Sequence, residues 1–342
     1  AEAELEGATL YLERKWGQPE EIAGFYADPK PDNDPRVFRT VVRKQGDQGV
    51  DTYRIPGLAT TPKGTLIAVF DIRHRNAGDL PADIDVGMMR STDNGETWSP
   101  MKAILDYDKD EPGSQGNGVG DPCVLVDQRT GHIIVGALWS HGPRAWGGSG
   151  PGMKPEETGQ FVITRSTDDG ASWSKPVSIT PQVKRPEWKL CFNGPGNGIQ
   201  TRNGTLVMPA QFKDAGGKPH SCFIFSRDGG KSFAETRYEP AIPIPGQGEL
   251  LACEPTNAPA KKGVRPIVFC GAAENKTRLT LMVSLDDCGT WPISRVIDDG
   301  SAANLALVAL PGEEVGVLYE RDKYRRLSFQ RVDLARLING VG

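Results

Sequence analysis

Three residues in one stretch have the types and spacing for acid–base chemistry on an anionic substrate. In "DTYRIPGLATTPKGTLIAVFDIRHRNAGDLPADIDVG", Arg54 precedes an apolar β-rich run, Arg73 follows one nineteen residues later, and Asp79 sits six residues beyond in a loop containing Gly78. Two guanidinium groups brought together grip a carboxylate through paired hydrogen bonds. A carboxyl beside them serves as a general acid when its surroundings keep it protonated. The plainer alternative is that Arg54, Arg73 and Asp79 form ion pairs at the surface or between neighbouring elements.

What would position them is a repeat. "STDNGETW" from Ser91 has Ser, Asp, Gly and Trp at offsets 0, 2, 4 and 7. The spacing returns as "STDDGASW" from Ser166, "SRDGGKSF" from Ser226 and "SLDDCGTW" from Ser284, where Cys288 replaces the Gly. Two short β-rich runs bounded by Gly, Asn and Asp precede each copy, such as "GTLIAVFDIR" and "DIDVGMMRS" before the first. The onsets lie 75, 60 and 58 residues apart, room for four short strands and their loops. Such a period predicts an all-β chain, with a β-propeller as the leading architecture. In a propeller the strand starts and joining loops converge on one mouth of the central channel, which would gather Arg54, Arg73 and Asp79.

The repeat has its own physical account. Its Asp accepts hydrogen bonds from the turn, its Gly permits positive φ, and its terminal aromatic packs as an anchor between sheets. Calcium binding by these Asp residues is the alternative, disfavoured because calcium loops carry acids at several alternate positions. Cys288 in place of Gly predicts a remodelled fourth turn. Five blade-like units are countable, the last completed by the segment near "RVFRTVVRK". That predicts a five-bladed propeller, or a six-bladed one with a degenerate blade. Residues 1–35 read as an N-terminal extension and 36–342 as the propeller.

Composition narrows the function classes. Charged residues make up 25% of the 342, and Gly (41) with Pro (27) reaches a fifth of the chain, as many tight turns require. A net charge of -4 gives no reason to expect nucleic acid. No apolar run approaches the ~18 residues of a membrane helix. The opening "AEAELEGATL" has no basic n-region or apolar h-region, so no signal peptide is read in it; its start at Ala rather than Met underlies the expectation of a secreted or periplasmic protein whose leader has been removed. Cys123, Cys191, Cys222, Cys253, Cys270 and Cys288 lack CxxC spacing and read as buried free thiols. The 4 histidines lack metal-ligand spacing, so no metal site is expected.

"YRIP" at 53–56, followed by these turns, resembles the bacterial sialidases (neuraminidases). The resemblance runs from about residue 36 onward. It includes "DIRHRNAGDLPADIDVG", "GNGVGDP" at 116–122, "GALWSHG" at 136–142, "GPGNGIQ" at 194–200 and "VGVLYE" at 315–320. It implies a propeller, normally six-bladed, that needs no metal or organic cofactor and releases terminal α-linked sialic acids with retention. Arg54 and Arg73 match two of the arginines with which the family grips the sugar carboxylate, and Asp79 matches the acid/base. Asp121 and Trp139 match positions lining the pocket beside the N-acetyl and glycerol arms. The implied partner is a sialylated or other acidic glycan.

The second half departs from that pattern. After "SRDGGKSF" about one blade, roughly 40 to 50 residues by the repeat period, is missing. With it go the family's activating Glu and a triad Arg. The family's nucleophilic Tyr falls on Asn304, and a further triad Arg falls on Lys276, with Arg278 two residues on. Glu249, Glu254 and Tyr238 lie in the replacing segment. Either Glu could act as a base on water, which would give inversion rather than retention, or could be a solvated loop acid. Tyr319 and Glu320 read as support for the site or as packing. Three outcomes stay open: an altered sialidase, a hydrolase or lyase for another acidic glycan, and a glycan-binding propeller without turnover.

Overall fold

The computed structural model describes residues 38–107, 118–238, 248–254, 263–272 and 276–338. Among these the strands form five antiparallel units. The first is Thr52–Thr60, Leu66–Arg73, Ile84–Ser91 and Lys102–Leu105, in that spatial order. The second is Val119–Val126, Ile133–Trp139, Gln160–Ser166 and Val177–Ser178, with Gly196–Asn197 parallel to its inner strand. In the third, Leu190–Asn193 and Ile199–Gln200 both pair with Leu206–Lys213, followed by Pro219–Ser226 and Ala234–Tyr238. The strand Ile293–Leu310 serves two units. Its first half completes a unit with Gly248–Ala252, Ile267–Gly271 and Thr277–Ser284. Its second half opens the last, with Glu314–Arg321 and Arg326–Asp333. The early strand Arg39–Lys44 pairs with Arg326–Asp333, so the last unit is completed by the segment the sequence pointed to.

Strand Leu66–Arg73 is buried at all eight residues. A strand covered on both faces shows no alternation, which explains the near-continuous apolar run "LIAVFDIR". Its two charged residues, Asp71 and Arg73, are therefore costly to bury and must satisfy each other.

The Ser–Asp turns follow the third strand of the first four units, and they share one geometry. In the first, Ser91 Oγ donates to Asp93 at 2.7 Å and accepts from Gly95 N at 2.8 Å. Asp93 also accepts from Thr97 N and Oγ1. These hydrogen bonds hold its carboxyl down at about 2, the Thr97 hydroxyl contributing most. The fourth turn is not remodelled. Cys288 takes φ 69° and still donates its N–H to Ser284 Oγ at 3.0 Å. Cys288 is also the one free thiol of the six that is exposed, against the expectation of burial.

Each of the first three turns latches onto a neighbouring unit. Trp98 meets Phe329 of the last unit edge-on at 5.6 Å, and Thr40 donates to Gly95 O. Asp169 of the second turn accepts from Thr61, Thr65 and Arg90 of the first unit. Gly230 O of the third accepts from Arg165 Nε of the second at 2.8 Å. The repeat is a blade-to-blade fastener.

Candidate active site

The functional candidates sit where the ladders are interrupted. Pairing shifts between Arg54 and Gly57, between Gly120 and Cys123, between Thr277 and Leu279, and between Ala302 and Leu305. A bulge re-aims side chains out of the regular alternation. Ile55, Asp121, Lys276 and Arg278 accordingly hold left-handed backbone, with φ of 55° to 57°. For a β-branched residue such as Ile55 this is strained. Arg54 thus lies inside a strand rather than before one, turned by the bulge beside it.

Arg73 is the centre of the cluster and is 1% exposed. Its Nε and Nη2 donate to Asp71 Oδ2 at 3.1 and 2.8 Å, and its Nη1 donates to Asp79 Oδ1 and Ala77 O, each at 2.7 Å. All three nitrogens are engaged by protein, so Arg73 positions Asp79 and is not a free arm of a carboxylate clamp. Asp79 itself is 75% exposed. Asp71 Oδ1 accepts from Asp121 N at 2.8 Å, which joins the first unit to the second. Asp121 O in turn accepts from Asn193 Nδ2. Burial pushes the Asp71 carboxyl up to about 6 despite Arg73. Asp121 rises to about 7 through burial and the charge of Asp71.

Arg54 is held differently. Its Nε donates to Glu320 at 3.1 Å, and its Nη1 lies 3.5 Å from Asp79 Oδ1 and 3.4 Å from Ala77 O. Among the described residues its Nη2 has no partner. Buried Glu320 also accepts from Ile55 N and from Asn304 Nδ2 at 3.1 Å. Glu320 thus ties Arg54, Ile55 and Asn304 together, where the sequence left support for the site and packing both open. Asn304 is brought to it, but its side chain is spent on Glu320.

The remaining candidates divide. Lys276 reaches the cluster by donating to Tyr324 Oη at 2.8 Å, and the Arg54 guanidinium lies over the Tyr324 ring at 4.2 Å. Arg278 is exposed, with no side-chain partner among the described residues. Trp139 is half-buried, stacked on Tyr107 at 4.4 Å. Glu254 is not brought to the cluster: its side chain is 86% exposed and pairs with Arg265 at 3.8 Å. Glu249 is no solvated loop acid either. It lies on the strand Gly248–Ala252, accepts from Leu307 N at 2.8 Å, and is pushed up to about 8 by burial. Tyr238 ends a strand, and its side chain lies outside the described residues. Tyr319 is structural, donating to Asp298 at 2.6 Å in the interior.

Sequence reasoning missed Asp71 and Tyr324. Asp71 had a signal, an acid two residues before an arginine in an otherwise apolar strand, where i and i+2 share a face. Among the described residues no group of three or more His, Cys, Asp and Glu is placed to hold a metal.

Comparison with known proteins identifies the family. The BNR repeat-like domain family matches residues 64–335. A sialidase of Bacteroides fragilis is 46% identical over 202 residues, covering 58% of this chain and 37% of that protein. A sialidase of Micromonospora viridifaciens is 27% identical over 356 residues, covering 87% of this chain and 54% of that protein. The chain thus spans about a third to a half of the length of these relatives. The solved structure of the Hadza microbial sialidase Hz136 superposes with a TM-score of 0.79 at 34% identity, over 88% of this chain and 69% of that one. With its β-propeller strand pattern and its four Ser–Asp turns, the chain belongs to the bacterial sialidase family built on BNR repeats.

Proposed function

We propose that the chain is an exo-acting glycoside hydrolase of the sialidase type, releasing a terminal α-linked sialic acid or a related acidic sugar from glycoconjugates. One observation carries the reading. Solvent-facing Asp79 is held by Arg73 through Oδ1, beside Arg54, whose Nη2 edge has no partner among the described residues. On this reading an anionic sugar meets that edge, and Asp79 Oδ2 carries a proton to the leaving alcohol.

The carboxamide of Asn304 cannot supply the phenolate that the family resemblance implies. Attack on the anomeric carbon then falls to water. The glycosidic C–O bond breaks as the water oxygen bonds to carbon, Asp79 protonates the leaving oxygen, and the water's proton passes to solvent. Attack from the face opposite Asp79 inverts the anomeric centre.

A second reading is a glycan-binding propeller without turnover. The hydrogen bond between Asn304 and Glu320 favours it, because it occupies the place where the nucleophile is expected. Release of fluorophore from a fluorogenic α-sialoside, run beside calorimetric binding of free sialic acid, separates the two. Binding with release lost in Asp79→Asn supports the hydrolase. Binding without release supports the second reading, and neither binding nor release contradicts both.

A further inference from the structure

Tyr324 belongs to the candidate site, although no local sequence pattern marks it. It lies in the turn joining Glu314–Arg321 to Arg326–Asp333, and Asp322, Lys323 and Tyr324 hold φ of 51°, 60° and 70°. Three consecutive non-glycine residues in left-handed backbone are costly and persist only where the surroundings fix them. Here Asp322 N donates to Ser301 O and Lys323 N to Ser301 Oγ, each at 3.2 Å. The adjoining Ala302 N donates to Lys276 O at 2.8 Å. The turn, the bulge before Asn304 and the backbone of Lys276 are therefore stapled together.

The result is a bracket of two cations around one phenol. The Arg54 guanidinium carbon stands 4.2 Å from the ring centroid, and Lys276 Nζ is 2.8 Å from Oη. A guanidinium binds a carboxylate along its edge, in the plane of the fork. The Arg54 guanidinium carbon lies over the Tyr324 ring, Glu320 takes its Nε edge, and Ala77 O with Asp79 flank Nη1. The open Nη2 edge is thereby given one direction. Lys276 sits on a flexible four-carbon stem at an exposed position, where an ammonium alone has no fixed place. Its bond to Oη converts that mobile charge into a fixed one beside Arg54.

We propose that Tyr324 is a positioning residue for carboxylate recognition, orienting Arg54 through its ring and Lys276 through its hydroxyl. This rests on the reading of the site as a binder of acidic sugars. It adds that the pair of cations needed for the grip comes from Arg54 and Lys276, with Arg73 excluded from it. Tyr324 makes no bond to the reacting atoms and acts through its two neighbours.

The test is calorimetric binding of N-acetylneuraminic acid and of its methyl ester, which masks the carboxylate, to the whole chain and its variants. Thermal unfolding checks that each variant is folded. The unaltered chain binds the acid and not the ester. Tyr324→Phe keeps the ring and loses the hydroxyl, weakening the acid about fivefold. Tyr324→Ala loses both contacts and weakens it about tenfold or more. In a Lys276→Met background, Tyr324→Phe has no further effect, because the hydroxyl acts only through the ammonium. Folded Tyr324→Phe and Tyr324→Ala variants that bind the acid like the unaltered chain overturn the inference. So does a fivefold loss that persists without Lys276. Failure of the unaltered chain to prefer the acid is a different result: it overturns the reading of the site, and this inference with it.

Discussion

Arg73 and Asp79 share a 2.7 Å hydrogen bond from Nη1 to Oδ1, although the arginine is 1% exposed and the carboxylate 75% exposed. A buried cation thus anchors a solvent-facing acid, and the other side of the same guanidinium is locked onto buried Asp71. The surface of the fold and its interior are joined through one side chain.

That arrangement predicts a large structural cost for removing the arginine. Arg73→Met leaves the Asp71 carboxylate buried without its partner, and breaking such a pair costs about 3–5 kcal/mol. Urea unfolding measures it. Adding Asp71→Asn to Arg73→Met recovers part of the loss, since the orphaned charge is gone. A loss below about 1 kcal/mol in the single variant contradicts the geometry.

The raised carboxyls predict how stability varies with pH. Burial lifts Asp71 to about 6, Asp121 to about 7 and Glu249 to about 8. Such a group keeps its proton in the folded chain over a range where the unfolded chain has lost it. Folding takes up protons there, so stability declines as pH climbs from about 4 to about 8. Asp93 and Asp228, each lowered to about 2, work in the opposite sense. Their contribution is complete above about 4 and is lost as pH falls toward 2. The melting temperature is therefore highest in mildly acidic buffer. Glu249→Gln keeps an acceptor for Leu307 N without the charge, and it raises Tm by about 3 °C at pH 8 and not at pH 5. Equal changes at both pH values contradict the assignment.

The strands of the first four units and the fasteners of the first three were legible because each lies close in sequence to its Ser–Asp turn. Arg54, Arg73 and Asp79 could be grouped for the same reason, being neighbours on one unit. Their division of labour was not legible. Whether Arg73 grips substrate or anchors Asp79 depends on Asp71, and that is a question of burial. Tyr324 was out of reach of any local pattern, since Lys276 and Tyr324 are 48 residues apart and meet only through the bulges. Glu249 and Glu254 looked alike as acids of one segment. The fold separates them, one bonded to the backbone of Leu307 and the other in water.

Cys288 offers a stabilising change. Its φ of 69° is one that glycine adopts at little cost, and the turn it closes is otherwise intact. Cys288→Gly stabilises the chain by up to about 1 kcal/mol, strain relief slightly exceeding the added freedom of the unfolded state. Chemical denaturation tests this, and a loss of stability contradicts the view that the fourth turn keeps the common geometry.

The fasteners themselves predict coupling between the ends of the chain. Trp98→Ala removes the edge-on contact with Phe329 of the last unit and costs about 2–3 kcal/mol, below the usual range for a fully buried aromatic because Trp98 is half-buried. The matching Phe329→Ala cost is less than additive with it. Strict additivity in the double variant contradicts the role as a seam.

In the proposed function one acid, Asp79, held by Arg73, drives release of a terminal acidic sugar. Its most direct measurement is steady-state release of sialic acid from an alkyl α-sialoside, whose poor leaving group requires a proton, by the unaltered chain and by Asp79→Asn. The expected outcome is turnover by the unaltered chain and a loss of at least about 100-fold in kcat/KM for the variant. No turnover by a chain that binds the sugar, or turnover that survives Asp79→Asn, contradicts it.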